Sequence, residues 1–196
     1  MNILHNYVPI NSIEKLDRLL ENLSVKIEIS KSRKSKYGDF KFNNGASKIS
    51  ISETSNKYRF LITLIHEIAH FKSYVNFGYE IKPHGEEWKK IYKKIMEPFL
   101  NSSIFPSKLL ILLKKHMEKP SASSDSDSKL SIEIKRHDIN LNTKFIFELI
   151  EGDIFKFNLK NYRIIKKRVK KYECLNLSNN KKYIFSPHVQ VSLINL

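Results

Sequence analysis

Cysteine is nearly absent from this chain, because Cys174 is the only one among 196 residues. One thiol excludes an internal disulfide framework and any zinc module built on four cysteines. The chain also lacks a run of roughly 18 uninterrupted apolar residues, which a membrane-spanning helix needs. Its first residues show no basic start followed by an apolar stretch, the pattern of a secretory signal. We therefore expect a cytoplasmic protein that is monomeric by default and has no membrane partner.

Acidic residues are few relative to basic ones. Lys and Arg number 35 against 20 Asp and Glu, which gives a net charge of +15. Such a field attracts polyanions, so nucleic acid is a candidate partner. The alternative is that the excess lysine only solvates the surface. Hydrophobic residues make up 41% of the chain, which is enough for a packed core in one medium domain or two small ones.

The first 120 residues predict a mixed domain of helices and a small sheet. Alternating apolar residues in VKIEIS and KISIS predict two strands of one sheet. The basic segment between these strands contains Gly38-Asp39, which predicts a turn. Apolar residues at helical spacing predict four helices over residues 12–23, 58–74, 84–96 and 104–119.

The composition of the chain changes near residue 120. Residues 121–128, SASSDSDS, are polar and of low complexity, which is typical of a linker. Beyond them, short β-branched and aromatic segments predict a β-meander of four or five strands. We therefore predict a first domain over 1–120, a linker over 121–128 and a basic, β-rich region over 129–196.

The segment HEIAH lies in the strongest of the predicted helices. At about 100° per residue, His66, Glu67 and His70 fall in one sector and the apolar residues fall opposite. One face can therefore pack into a core while the other presents two imidazoles one turn apart. Because two histidines and a glutamate are costly to bury without partners, the pattern favours a metal site.

These residue types suit hydrolysis at a zinc ion. Zinc binds neutral imidazole nitrogen, and a catalytic zinc keeps three protein ligands and one water, whose pKa it lowers towards neutrality. Glu67 follows the first ligand and is close enough to take a proton from that water and pass it to a leaving amine. The alternative is an accidental match on an amphipathic helix, so the third ligand decides between the two interpretations.

His84 is the best candidate for the third ligand. It lies between a proline and a glycine at the predicted start of a helix, where the helix dipole disfavours an imidazolium ion. Gly85 would also let the backbone approach the metal closely. Three nearby carboxylates stay open as alternative ligands: Glu80, Glu86 and Glu87.

The combination of HEIAH with HGEEW after a loop resembles the SprT-like family of zinc metalloproteases, which includes the Spartan-type DNA–protein crosslink proteases. A basic hairpin, SRKSKYGDF, and the strand KISIS also fit, so the resemblance covers about residues 5–120. It implies a minimal zincin-like fold in an α+β protein, with one zinc ion on His66, His70 and His84 and with Glu67 as general base. It also implies cleavage of proteins on or near DNA.

The chain departs from this family in its C-terminal region. Many members carry a zinc ribbon with four cysteines, whereas one cysteine cannot hold a second zinc here, so we expect a metal-free, ribbon-like meander. Nucleic-acid binding must then rest on charge, with tyrosines available to stack on bases. The alternative is an ordinary solvated sheet face. Six basic residues are the predicted contacts: Arg163, Lys166, Lys167, Arg168, Lys170 and Lys171.

Substrate binding is expected at the small sheet. KISIS is the expected edge strand, and an extended substrate backbone would pair with it. No second catalytic side chain is identifiable from the sequence. Three tyrosines are conceivable donors to the oxyanion: Tyr37, Tyr74 and Tyr79.

The sequence favours a zinc endopeptidase that acts on DNA-associated proteins, with protein substrates and nucleic acid as partners. One alternative is a catalytically dormant, zinc-containing module that binds nucleic acid. Another is a zinc peptidase without any nucleic-acid role, whose charge only solvates its surface. The intact Glu67 distinguishes the first interpretation from the dormant module.

Overall fold

The computed structural model of the chain describes residues 2–31, 36–43, 45–78, 80–121, 127–138 and 143–194. Over these residues the chain forms five α-helices and two β-sheets. It divides into two compact units, Met1–Asp138 and Ile139–Leu196. The prediction of an α+β protein with a β-rich C-terminal region is confirmed. No helix within the described ranges combines the length and the apolar character that a membrane span requires.

The first unit contains α1 (Ile13–Leu20) and a sheet of β1 (Lys26–Ser30), β2 (Gly38–Asn43) and β3 (Ala46–Ser52). The strand order is β1-β3-β2, with β1 parallel and β2 antiparallel to β3. The expectation that KISIS is an edge strand is therefore wrong, because these residues lie in β3 and are paired on both sides. Two alternate isoleucines of β3 are fully buried, which explains its central place.

Strand β2 occupies the segment in which the sequence predicts a turn. It pairs with β3 along its whole length, from Gly38 to Asn43. The predicted turn at Gly38-Asp39 is therefore wrong, and the chain reverses after the strand, where Gly45 has a φ of 78°. Glycine adopts this left-handed conformation without steric cost. The two phenylalanines of β2 pack against the next helix, which holds the strand in the sheet.

The longest helix, α2 (Lys57–Phe77), carries the HEIAH segment. Asn56 caps its first turn, because the Asn56 side chain accepts a hydrogen bond from the backbone N–H of Arg59 at 3.0 Å. The helix ends at Gly78, whose φ is 72° and whose N–H donates to the Tyr74 carbonyl. The side of α2 that faces the core is fully buried at six apolar positions: Phe60, Leu61, Leu64, Ile65, Ile68 and Ala69.

The next two helices begin later than predicted, at α3 (Glu86–Met96) and α4 (Ser107–Glu118). Helix α3 starts after Gly85 because His84 has a φ of 60°, which is incompatible with a right-handed helix. Helix α4 starts after Pro106, whose extended backbone places it at the N-cap.

A fifth helix, α5 (Ser128–Lys135), continues the first unit beyond the predicted linker. Its Leu130 and Ile134 are fully buried in the same core as α2. The Asn56 side chain donates hydrogen bonds to the Ile134 carbonyl at 2.8 Å and to Asp138 at 2.6 Å. The first unit therefore extends to Asp138, whereas the sequence-based division placed this helix in the C-terminal region. Most residues of the predicted linker lie outside the described ranges.

The second unit is a six-stranded antiparallel sheet in the order β4-β9-β5-β6-β7-β8. Strands β5 to β8 form a meander, and β9 returns to pair with both β5 and β4. An aromatic core lies under the sheet around the buried Cys174, and burial raises the pKa of this thiol to about 12. The strands are β4 (Thr143–Phe145), β5 (Ile154–Phe157), β6 (Lys160–Lys167), β7 (Tyr172–Asn176), β8 (Lys182–Phe185) and β9 (Gln190–Leu193).

The substitution Asn56→Ala should lower the free energy of unfolding by about 3 kcal/mol, because it removes a helix cap and the two hydrogen bonds that tie the start of α2 to Ile134 and Asp138. Urea unfolding measures this loss. The matched control is Asn2→Ala, since Asn2 caps a short helix at an exposed position and should cost less than about 1 kcal/mol. Equal losses in the two variants would contradict this account of α5.

Candidate metal centre

Three histidine side chains converge at one point of the first unit. His66 and His70 lie one turn apart on α2, and their Nε2 atoms are 3.1 Å apart. The Nε2 atom of His84 lies 2.9 Å from that of His70 and 3.3 Å from that of His66. The fold thus brings together the three residues that the sequence predicts as metal ligands.

His84 reaches the helix because the loop before α3 makes a tight turn. The left-handed backbone of His84 is rare for a residue with a side chain and is typical of functional sites. The N–H of the next residue, Gly85, donates to the Lys82 carbonyl at 2.8 Å. A Cβ atom on Gly85 would lie 2.8 Å from the same carbonyl oxygen, so only glycine fits this turn.

The spacing of the three nitrogen atoms fits one metal ion. Nitrogen ligands at 2.0–2.1 Å from a tetrahedral zinc ion lie roughly 3.3 Å apart, and the observed separations are 2.9, 3.1 and 3.3 Å. In a neutral imidazole, Nε2 carries either a hydrogen or a lone pair. With three Nε2 atoms in mutual contact, at least one pair must therefore bring two hydrogens or two lone pairs together. A metal ion that accepts all three lone pairs removes this conflict. The cluster can therefore hold a metal ion.

Burial keeps the three imidazoles neutral. Desolvation, followed by repulsion from neighbouring histidines, lowers the pKa of His66 to about 2 and that of His70 to about 4. Burial also lowers the pKa of His84. Because a protonated imidazole has no lone pair for a metal, these rings are held in the form that binds one near neutral pH.

Two aromatic residues of α3 fix the orientation of the imidazoles. The Trp88 ring is fully buried, with its centroid 4.8 Å from that of His66, 5.2 Å from His70 and 4.7 Å from His84. Tyr92 packs against both Trp88 and His66. Burial and the nearby negative charge of Glu67 raise the pKa of the Tyr92 phenol, which stays neutral.

Glu67 lies beside the three histidines in a cavity of about 440 Å³. Its side chain is buried, with 7% of its surface exposed. The opposite wall of the cavity is formed by the first residues of β2, where Phe40 packs against Tyr74 with ring centroids 5.8 Å apart. A carboxylate and a metal-binding cluster therefore share one open cavity, which is the arrangement that hydrolysis at a metal requires.

The carboxylates that the sequence left as alternative ligands lie elsewhere. Glu86 begins α3 and accepts a hydrogen bond from Lys89 at 2.7 Å. Neither it nor Glu80 or Glu87 joins a metal-binding group in the described part of the chain, where the only such group is the histidine cluster.

The three candidate oxyanion donors differ in position. Tyr74 lines the cavity. The Tyr37 ring lies under the Arg59 guanidinium, with the guanidinium carbon 4.3 Å from the ring centroid. Tyr79 lies outside the described residues, so that prediction stays open.

Sequence reasoning missed β2 as the strand that borders the cavity. The signal was present, because GDFKFN places two phenylalanines at alternate positions, which is the pattern of a half-buried strand. The glycine at its start hid this pattern by suggesting a turn.

The six basic residues predicted to contact nucleic acid are all exposed on or beside the hairpin of β6 and β7. Three belong to β6 and three to the turn that follows it: Arg163, Lys166 and Lys167, then Arg168, Lys170 and Lys171. Arg168 and Lys170 therefore precede β7, in which Tyr172 is the first residue.

One acidic side chain neutralises part of this basic surface. Glu173 of β7 accepts a hydrogen bond from the Nε of Arg168 at 2.9 Å and lies 3.1 Å from the Nζ of Lys182. Its side chain is only 3% exposed. Hydrogen bonds from these two cations lower the pKa of Glu173. Arg168 is therefore ion-paired, whereas the lysines of the turn project into solvent.

Comparison with models of known protein families identifies a match over the first unit. The model of the SprT-like family matches residues 11–108, half of the chain, and this range contains α2, the cavity and all three histidines. No curated protein matches the chain.

The substitution His84→Ala should weaken cobalt(II) binding by at least about 100-fold, because a ligand contributes more than the groups that merely support ligands. Trp88 is the only tryptophan and packs against all three rings, so quenching of its fluorescence during a titration reports binding. The control is His188→Ala, whose ring packs against Phe147 in the second unit. Equal affinities in the two variants would rule out His84 as a ligand.

The substitution Glu173→Gln should lower the melting temperature at pH 6, and the difference from the natural chain should shrink as the pH falls. A carboxyl group with a lowered pKa stabilises the fold above its unfolded value, near 4.5, and loses that contribution as the pH falls through the folded value. Thermal unfolding of the full chain between pH 6 and about pH 3 measures this difference. The exposed Glu151→Gln is the control. A difference that is constant over this range would refute the role of Glu173.

Proposed function

Because the chain belongs to the SprT-like family, we propose that it is a zinc-dependent endopeptidase that acts on DNA-associated proteins. Membership of this family indicates a metallopeptidase-like domain. The observation that carries the finer proposal is the cavity in which Glu67 lies beside three convergent histidines. These residues supply a metal-binding group and a proton acceptor at the same point of an open surface.

The donor set favours zinc as the metal. Three neutral imidazoles suit zinc and leave a fourth position for water or substrate, as in catalytic zinc sites. His66, His70 and His84 would hold one ion per chain. When bound, zinc would polarise the scissile carbonyl group and lower the pKa of a water molecule towards neutrality.

Glu67 is the proton carrier in this proposal. It follows His66 directly on α2, and its carboxylate lines the same cavity as the ligands. It takes the proton of the attacking water and returns it to the leaving amine, so one side chain serves first as base and then as acid. Asp39 also lines the cavity, but its carboxylate forms an ion pair with the Nζ of Lys36 at 2.6 Å.

Strand β2 supplies the substrate-binding edge. One side of β2 pairs with β3, and among the described strands β2 is the last of its sheet. An extended peptide that pairs with this edge gains main-chain hydrogen bonds without any requirement for particular side chains. The first residues of β2 border the cavity, so a peptide on this edge would pass the metal-binding group. This mode of binding suits an enzyme that acts on many different proteins.

Nucleic acid is the proposed recruiting partner. The chain has a net charge of +15, and four exposed lysines lie around one hairpin turn of the second unit: Lys166, Lys167, Lys170 and Lys171. Lysine ammonium groups neutralise phosphates and release counterions, which makes binding depend on salt but not on sequence. A protease held on DNA in this way would act on proteins that are bound nearby.

The substitution Glu67→Gln should slow the cleavage of a DNA-bound protein by roughly 10²–10⁴-fold, because glutamine cannot accept the proton. The cobalt(II) affinity should stay unchanged, since the ligands are intact. Gel analysis of the substrate with the zinc-loaded protein measures cleavage, and Glu86→Gln is the control at an exposed site. Full proteolytic activity in Glu67→Gln would exclude the proposed mechanism.

Replacing Lys166, Lys167, Lys170 and Lys171 together by glutamine should flatten the dependence of DNA affinity on salt. The slope of log affinity against log salt should fall by roughly 0.9 for each phosphate that the protein no longer neutralises. Fluorescence anisotropy of a labelled duplex measures this slope. The control replaces four exposed lysines of the first unit and removes the same charge: Lys90, Lys94, Lys114 and Lys119. Equal slopes would mean that the hairpin is not the contact surface.

A further inference from the structure

The side of β2 that faces α2 changes character along the strand. Alternate residues of a strand share one face, and on this face β2 presents Gly38, Phe40 and Phe42. The Phe40 ring packs against Phe71 and Tyr74 at centroid distances of 6.0 and 5.8 Å, and Phe42 lies 4.7 Å from Tyr74. Large rings therefore fill the space between strand and helix everywhere except at Gly38.

At Gly38 the strand backbone touches the side chains of α2. A Cβ atom added there would lie 2.6 Å from Oε1 and 2.7 Å from Cγ of Glu67, and 2.6 Å from Cγ2 of Thr63. These distances are below those that real Cβ atoms show. Gly38 is not among the glycines with a positive φ, so its backbone conformation does not require glycine. Glycine is required here because there is no space for a side chain.

We propose that Gly38 is a positioning residue for Glu67, an inference that rests on the proposed role of Glu67 as proton carrier. Thr63 precedes Glu67 by one helical turn, so the two side chains lie on the same side of α2. Together with the bare backbone of β2, Thr63 forms a slot that holds the Glu67 carboxylate. Because Gly38 has no side chain, the substrate-binding edge of β2 also lies close to the Glu67 carboxylate.

An added methyl group at this position should displace the carboxylate and spare the metal ligands. The three atoms that the methyl group would meet first belong to Glu67 and Thr63, and none belongs to a histidine. A displacement of about 1 Å is enough to reduce a rate by roughly 100-fold.

The first test compares kcat, KM and metal affinity in Gly38→Ala. We expect kcat to fall by roughly 100-fold, KM to change much less, and the cobalt(II) affinity reported by Trp88 fluorescence to stay the same. Adding Thr63→Ser removes the Cγ2 atom and should restore part of kcat. The control is Ser102→Ala, at an exposed position of the first unit that lies outside β2 and the cavity. A normal kcat in Gly38→Ala would overturn the proposal.

The second test needs no enzymatic activity. The metal-free proteins are melted as a set of four: the natural chain, Gly38→Ala, Glu67→Ala and the double variant. Gly38→Ala should lower the melting temperature of the natural chain, and it should do so less when Glu67 is already truncated, because only the contact with Cγ2 of Thr63 then remains. Equal decreases in melting temperature with and without the Glu67 side chain would show that residue 38 does not act on Glu67, and would overturn the proposal. If the natural chain cleaves no protein, the proposed function fails, and this comparison still decides whether Gly38 holds Glu67.

Discussion

Burial of the HEIAH turn is the constraint on which the rest of the first unit depends. Glu67 is 7% exposed, and desolvation lowers the pKa of His66 to about 2, so both groups are costly to bury without partners. Three surrounding elements contact these groups. The loop before α3 brings His84, α3 brings Trp88, and β2 brings its backbone to the carboxylate. The elements that bury this turn are thus the same elements that assemble the site.

One left-handed residue and two tightly packed glycines lie around this turn. His84 is left-handed, Gly85 is pressed against a carbonyl oxygen, and Gly38 lies against two side chains of α2. Such features cost stability and persist where the surrounding packing enforces them. Here the enforcing elements are the sheet on one side of α2 and the aromatic residues of α3 on the other. In the second unit, the antiparallel sheet covers an aromatic core, and the left-handed residues other than glycine lie between strands: Asn158, Leu159 and Asn180.

The sequence predicted the parts that depend on local pattern and missed those that depend on packing. The helix with His66, Glu67 and His70 follows from the spacing of its apolar residues. His84 was predicted as a metal ligand from the proline and the glycine on either side of it. The position of β3 in the centre of its sheet could not be read from alternation, because edge and central strands alternate alike. Helix α5 was missed because its anchors, Asn56 and the core around α2, are far away in the chain. The role of Gly38 could not be predicted, because it depends on the distance between β2 and Glu67 in the folded chain.

The most direct measurement is the cleavage of a DNA-bound protein before and after removal of metal by a chelator, followed by titration with zinc. The account predicts that cleavage disappears with the metal and returns in full at about one zinc ion per chain, which is the capacity of a single three-histidine site. Cleavage that persists without metal would contradict it. A metal-free chain that stays inactive at one equivalent, although it is folded and has bound zinc, would contradict it equally.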